Sequence, residues 1–163
     1  MKTKFSDIRL ALFDFDGVFN DNHVYVSEDG KETLKCCISD GIGISRIKEL
    51  GIKCYVISSE RNFVVKERCR KINISFEQNV KDKENSVPDI CKRNNIDPKN
   101  EMFLGNDIND IPALRIVGLS YAVADCFPEI KKYVTFQTNA NGRKGAVREV
   151  CDLIYNANRK KKT

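Results

Sequence analysis

Short apolar runs alternate along this chain with stretches whose apolar residues recur at helical spacing, and the order of the two patterns defines the expected elements. Residues 8–13 read as a buried strand ending at Asp14. Residues 24–27 and 33–38 flank Glu28-Asp29-Gly30, a turn sequence that predicts a projecting β-hairpin. Ile42, Ile44, Ile47 and Leu50 then mark a helix stopped by Gly51. Residues 53–57 form a second expected strand, 63–71 its helix, and a third short strand falls near 74–76. A helical pattern covers 83–94 although Pro88 lies inside it. A fourth strand at 102–104 runs into Gly105, followed by a short helix at 112–116 and a strand at 119–124. Residues 146–157 close the chain as a helix with Val147, Val150, Cys151 and Ile154 on one face.

Strands separated by helices imply βαβ units with parallel pairing and right-handed crossovers. The expected class is therefore α/β, a Rossmann-like parallel sheet with helices on both faces and a small projecting hairpin. Ligands of such sheets bind beyond the carboxyl ends of the strands. No internal repeat, low-complexity tract or linker divides the chain. At 163 residues it is too short for a catalytic domain plus a large lid, so one domain over 1–158 and a basic tail at 159–163 are expected.

Composition removes several functional classes. Hydrophobic residues make up 41% and charged residues 31%, as in an ordinary globular protein. The net charge is +5, but Arg159, Lys160, Lys161 and Lys162 carry four of those charges, so the remainder carries only +1. With no aromatic residues interleaved, this tail is read as a solvated end, and nucleic acid is set aside as a partner. The seven cysteines are an odd set without a CxxC pair and His23 is the only histidine. That excludes a zinc cluster and a histidine-based triad, and suits buried thiols in a reducing cytoplasm. The N-terminus lacks the pattern of a signal peptide, and no apolar run approaches the ~20 residues of a membrane span.

Candidate chemistry gathers where this architecture puts its ligands. Asp14 and Asp16 end the first strand, Ser58 ends the second, and Asp107 with Asp110 follow the fourth. The Asp14-x-Asp16 spacing directs two carboxylates to one side while Gly17 lets the backbone turn. Like charges this close are costly without a cation between them. Adding Asp107 gives an all-oxygen set suited to Mg2+. A single aspartate at a strand end is more often a turn former, but the whole constellation is not explained that way. Phosphoryl transfer needs in-line positioning and neutralised oxygens, and a carboxylate can serve as its nucleophile.

Asp14-Phe15-Asp16-Gly17-Val18, Val56-Ile57-Ser58, Lys83 and Gly105-Asn106-Asp107-Ile108-Asn109-Asp110 resemble, in order and spacing, the four motifs of the haloacid dehalogenase superfamily. The resemblance covers nearly the whole chain. Residues 145–153 look like the ending of its capless sugar-acid phosphatases, which act on 3-deoxy-manno-octulosonate 8-phosphate or nonulosonate 9-phosphates. It implies Asp14 as nucleophile, Asp16 as general acid/base, Ser58 on a phosphoryl oxygen and Lys83 offsetting charge. Asp14, Asp16 and Asp107 would hold Mg2+, and Asp110 would orient Lys83, with Gly17 and Ser59 in support. Lys81 competes with Lys83 by position; Lys83 matches the spacing from Gln78 better. The subgroup further implies a cytoplasmic homotetramer whose neighbour covers the site.

Glu60, two residues after Ser58 as in members of the nonulosonate type, resembles with Arg68 and Lys71 the substrate-binding positions of that type. The expected substrate is therefore a nonulosonate 9-phosphate, with the octulosonate 8-phosphate as the alternative. Asn20, Ser59 and Arg143-Lys144 depart from a common threonine, glycine and Gly-Arg. The chain also looks like the C-terminal domain of some CMP-sialic acid synthetases, so a non-catalytic tetramerisation domain is the rival from another class. A phospho-receiver domain is a further rival, but its phosphorylated aspartate would lie mid-chain and it has no use for Asp16.

Overall fold

The computed structural model describes residues 3–159. Six strands form one parallel sheet: β1 (Leu10–Phe13), β4 (Lys53–Ile57), β5 (Ser75–Glu77), β6 (Glu101–Gly105), β7 (Leu119–Ala122) and β8 (Phe136–Gln137). Between β1 and β4, β2 (Tyr25–Val26) and β3 (Glu32–Thr33) pair antiparallel as the hairpin. The helices are α1 (Ile38–Lys48), α2 (Phe63–Lys71), α3 (Lys83–Asn94), α4 (Ile111–Ile116) and α5 (Ala146–Arg159). The α/β reading holds. No helix among the described residues is long and apolar enough to cross a membrane.

The strand order is β5-β4-β1-β6-β7-β8. The chain fills the sheet outward from β1 in one direction and then, from β6, in the other. The reversal leaves a crevice beyond the carboxyl ends of β1 and β6, where helices depart to opposite faces. Phe13 is in register with Val56 on one side and Leu104 on the other, so the loops leaving β1 and β6 emerge side by side. Every residue of β1 and β6 is buried. Val147, Val150, Cys151 and Ile154 are the buried stripe of α5, which packs on α1, while α3 packs on α4.

Several boundaries differ from the sequence expectation. β1 starts at Leu10 because Phe5–Asp7 forms a 3-10 turn that ends at Ile8. The second hairpin arm is only Glu32–Thr33, since Cys37 is already the residue preceding α1 and Ile38 begins that helix. The strand expected at 119–124 stops at Ala122, and β8, two exposed residues, was not anticipated. Of the expected tail only Arg159, which ends α5, lies within the described residues.

At the end of the sheet opposite the crevice, Glu101 is 1% exposed and accepts a hydrogen bond from the Cys91 thiol. Burial pushes its carboxyl from an ordinary 4.5 up to about 7, the Cys91 bond opposing and Asp97 adding to the rise. A carboxyl raised on folding contributes stability below its unfolded pKa that is lost as pH climbs to the folded value. Glu101→Gln should therefore leave thermal stability unchanged at pH 4 and raise it by on the order of 2 kcal/mol at pH 8. An equal effect at both pH values in thermal denaturation would contradict this.

Candidate active site

The first motif alternates sides by construction. Phe13, Phe15 and Phe19 are fully buried and in ring contact, Phe15 stacked on Phe19 at 5.5 Å and Phe13 edge-on to it at 5.9 Å. These rings anchor the turn from beneath, leaving Asp14 and Asp16 to line a crevice of about 270 Å³. Asp14 N–H donates to the Leu104 carbonyl at 2.9 Å, extending the β1–β6 ladder by one residue and fixing the nucleophile candidate against the β6 loop. Gly17 has φ 78°, and a Cβ there would lie 2.0 Å from Asn106 Nδ2, so only glycine fits.

Lys83 enters from the first turn of α3, started by Asp82, whose carboxylate caps Asn85 N–H. It is 2% exposed, with Nζ 2.8 Å from Asp14 Oδ1 and 2.6 Å from Asp110 Oδ1. Lys81 is exposed, whereas Lys83 is the one of the two that reaches Asp14. Asp110 is fully buried, and its Oδ2 accepts from Asn106 N–H at 2.8 Å, tying the β6 loop to the lysine. Burial works against the Lys83 ammonium, but Asp14 and Asp110 outweigh it and hold its pKa above the ordinary value. Burial, with Asp110 adding, pushes Asp14 up to about 7 against the pull of Lys83. Negative charge thus exceeds what the single lysine compensates.

Asp16 sits at the mouth. Asn20, fully buried, donates from Nδ2 to Asp16 Oδ1 at 2.6 Å, while its Oδ1 accepts from the N–H groups of Gly17 and Asn22, each at 2.8 Å. Burial raises the Asp16 pKa, partly offset by the Asn20 bond, with Glu60 adding to the rise. Asp107 lines the same crevice, and its Oδ1 accepts from Ile108 N–H at 2.6 Å. Among the described residues no three cysteine, histidine or acidic side chains converge into a ready-made cation cage.

The segment before α5 packs against the turn that follows Asp16. A Cβ at Gly142 would lie 1.9 Å from the Gly17 carbonyl oxygen, and Gly142 N–H donates to Asp125 Oδ1 at 2.8 Å. Arg143, at φ 63°, donates its N–H to the Val18 carbonyl and pairs through Nη1 with Asp21 at 2.8 Å.

Of the residues singled out in the sequence, Asp14, Asp16, Ser59, Glu60 and Asp107 line the crevice, and Lys83 and Asp110 lie directly beneath. Ser58 is fully buried, with Oγ accepting from Glu60 N–H at 3.1 Å, so it is Ser59 that faces the opening. Arg68 and Lys71 are not brought to the crevice: Arg68 Nη2 donates to the Cys37 carbonyl at 2.6 Å, and Lys71 is exposed on α2. Sequence reasoning assigned no role to Asn20, Asn22 or Asn106. A cluster of short amides directly after a strand-end glycine was the available signal, since Asn tolerates tight turns and offers both donor and acceptor.

Residues 63–150 match the haloacid dehalogenase-like hydrolase family. The chain is 35% identical over 153 residues to the 3-deoxy-D-manno-octulosonate 8-phosphate phosphatase KdsC of Salmonella typhi, covering 93% of this chain and 81% of that protein. The solved structure of the 3-deoxy-D-manno-octulosonate 8-phosphate phosphatase from Yersinia pestis superposes with TM-score 0.92 at 32% identity, over 96% of this chain and 85% of the other. The corresponding enzyme from Moraxella catarrhalis, solved with magnesium ion, phosphate ion and KDO, superposes with TM-score 0.92 at 27% identity, over 96% and 90% of the two chains.

The buried triad makes a prediction independent of turnover. Lys83→Met leaves two carboxylates without their cation and should cost about 3–5 kcal/mol of unfolding free energy at pH 8. At pH 5 the loss should shrink, because Asp14, already raised to about 7, takes a proton instead. Urea denaturation at the two pH values reads both effects, and a pH-independent loss would refute the assignment.

Proposed function

The chain belongs to the haloacid dehalogenase-like hydrolase family and is a phosphoric monoester hydrolase, and we propose that it cleaves the phosphate ester of a 3-deoxy-2-keto sugar acid through an aspartyl-phosphate on Asp14. The observation that carries this reading is Lys83, buried between Asp14 and Asp110 directly beneath a crevice that Asp16 and Asp107 also line.

In this mechanism an Asp14 carboxylate oxygen bonds to phosphorus as the ester P–O bond breaks. Lys83 fixes the other part of that carboxylate and offsets its charge. Asp16 gives its proton to the departing alkoxide; its raised pKa is the direction required of a group that starts protonated. Asp16 then takes a proton from water as that water attacks phosphorus, releasing inorganic phosphate and restoring the Asp14 carboxylate. Ser59 and the backbone beside it are placed to hold phosphoryl oxygens. Asn20 keeps Asp16 turned toward the opening.

The donor set fits Mg2+: it is all oxygen, carries charge that Lys83 alone does not balance, and is too open to strip a small hard ion of its waters. Asp14, Asp16 and Asp107 would hold it. When bound, Mg2+ neutralises charge on the transferring phosphoryl group.

For the substrate, the octulosonate 8-phosphate is the first reading, because the similar enzymes from Salmonella typhi and Yersinia pestis are phosphatases of that ester. The nonulosonate 9-phosphate is the second, favoured by Glu60 at the crevice; Arg68 and Lys71 give it no support in the single chain. Homotetramer assembly is proposed from the exposed hairpin residues Val24, Tyr25 and Val26, and a cytoplasmic setting from seven free cysteines. An assembly domain without catalysis has no use for a buried lysine paired to two carboxylates.

Phosphate release with Mg2+ should be higher in kcat/KM for the octulosonate 8-phosphate than for a nonulosonate 9-phosphate; the reverse order would restore the second reading. Asp14→Asn should abolish turnover with circular dichroism unchanged, and an active variant would overturn the mechanism. Chelation should stop turnover until Mg2+ is returned.

A further inference from the structure

A second cavity, of about 300 Å³, adjoins the catalytic crevice and shares Asp16, Asn22 and Glu60 with it. An ester held with its phosphorus at Asp14 has this cavity open to its carbon skeleton past Asp16 and Glu60. Its outer wall is the hairpin, through Val24, Glu32 and Leu34, and its inner wall is the approach to α2, through Glu60 and Asn62.

One side-chain bond joins the two walls. Asn62 Nδ2 donates to Glu32 Oε2 at 3.0 Å, while Asn62 Oδ1 accepts from Val65 N–H at 3.1 Å as the N-cap of α2. The amide cannot be turned over without placing its oxygen against the Glu32 carboxylate and its NH2 against the Val65 N–H. Asn62 is itself held, because its carbonyl accepts from Gln78 Nε2 at 2.8 Å. Glu32 is thus fixed although it stands on an exposed strand.

The lining has a definite chemical preference. Asp16, Glu32 and Glu60 supply carboxylate oxygens, Asn22 and Asn62 supply amides, His23 supplies an imidazole, and no lysine or arginine among the described residues lines it. Such a wall accepts hydrogen bonds from hydroxyl groups and repels a carboxylate.

We propose that Glu32, positioned by Asn62, is a specificity-determining residue that reads a hydroxyl group on the substrate carbons nearest the phosphate ester, the substrate's own carboxylate lying outside this cavity. The proposal rests on the sugar-acid phosphatase reading and deepens it.

The test compares two esters on the purified full chain with Mg2+: the octulosonate 8-phosphate and phenyl phosphate, which has no hydroxyl group to read. In Glu32→Gln and Asn62→Ser the ratio of their kcat/KM values should fall about tenfold, the worth of one hydrogen bond to a charged group, through a rise in KM for the sugar acid. Asn62→Ser keeps a helix-capping oxygen, so a loss there reports the missing amide donor. A ratio unchanged in both variants, or a fall carried by kcat for both esters together, overturns the role of Glu32 and leaves the phosphatase reading standing. A wild-type chain that cleaves phenyl phosphate but no sugar-acid phosphate overturns the sugar-acid reading and this proposal with it.

Discussion

The ammonium of Lys83 is the constraint around which the rest of the molecule is arranged. A lysine 2% exposed is tolerable only with anionic partners, and here it has two, from the ends of different strands. Asp14 follows β1, Asp110 lies in the turn after β6, and Lys83 itself belongs to the helix that precedes β6. The three meet only if β1 and β6 are neighbours, which is the point at which the strand order reverses. Sheet topology and active-site electrostatics are therefore one requirement. The two carboxylates outnumber the lysine, which leaves the crevice short of positive charge and prepared for a cation or a proton.

Much of this was readable from residues alone, for identifiable reasons. The boundaries 53–57, 63–71 and 83–94 coincide with β4, α2 and α3 because the chain punctuates them locally: Gly51 at φ 81°, and side-chain caps from Asn62 and Asp82. Pro88 lies inside α3 without ending it. The hairpin arms were overestimated because both faces are exposed, so alternation there carries no burial signal. β8 was invisible for the same reason, as a two-residue edge strand.

The site divides along the same line. Strand-end carboxylates are placed by topology, and topology is written in the pattern, so Asp14, Asp16 and Asp107 could be located in advance. Helical spacing puts Arg68 and Lys71 on neighbouring faces but does not say what they meet; Arg68 meets the Cys37 carbonyl. The roles of Asn20 and Asn62 depend on which two groups each amide bridges, and those partners are set by the fold. The strand-end carboxylates are thus more legible than the partners of side chains on the hairpin and loops.

The turn around Gly17 is completed by Gly142 and Arg143, which lie more than a hundred positions further along the chain. Helix α5, immediately after them, also packs on α1. During synthesis the amino-terminal strands can pair and bury their apolar faces well before residues 142–143 leave the ribosome. Until then the turn after Asp16 lacks its contacts with Gly142 and Arg143. A nascent chain stalled short of residue 142 would carry Asp14, Asp16, Lys83 and Asp107 and still lack the contacts that complete the turn from Gly17 to Asp21.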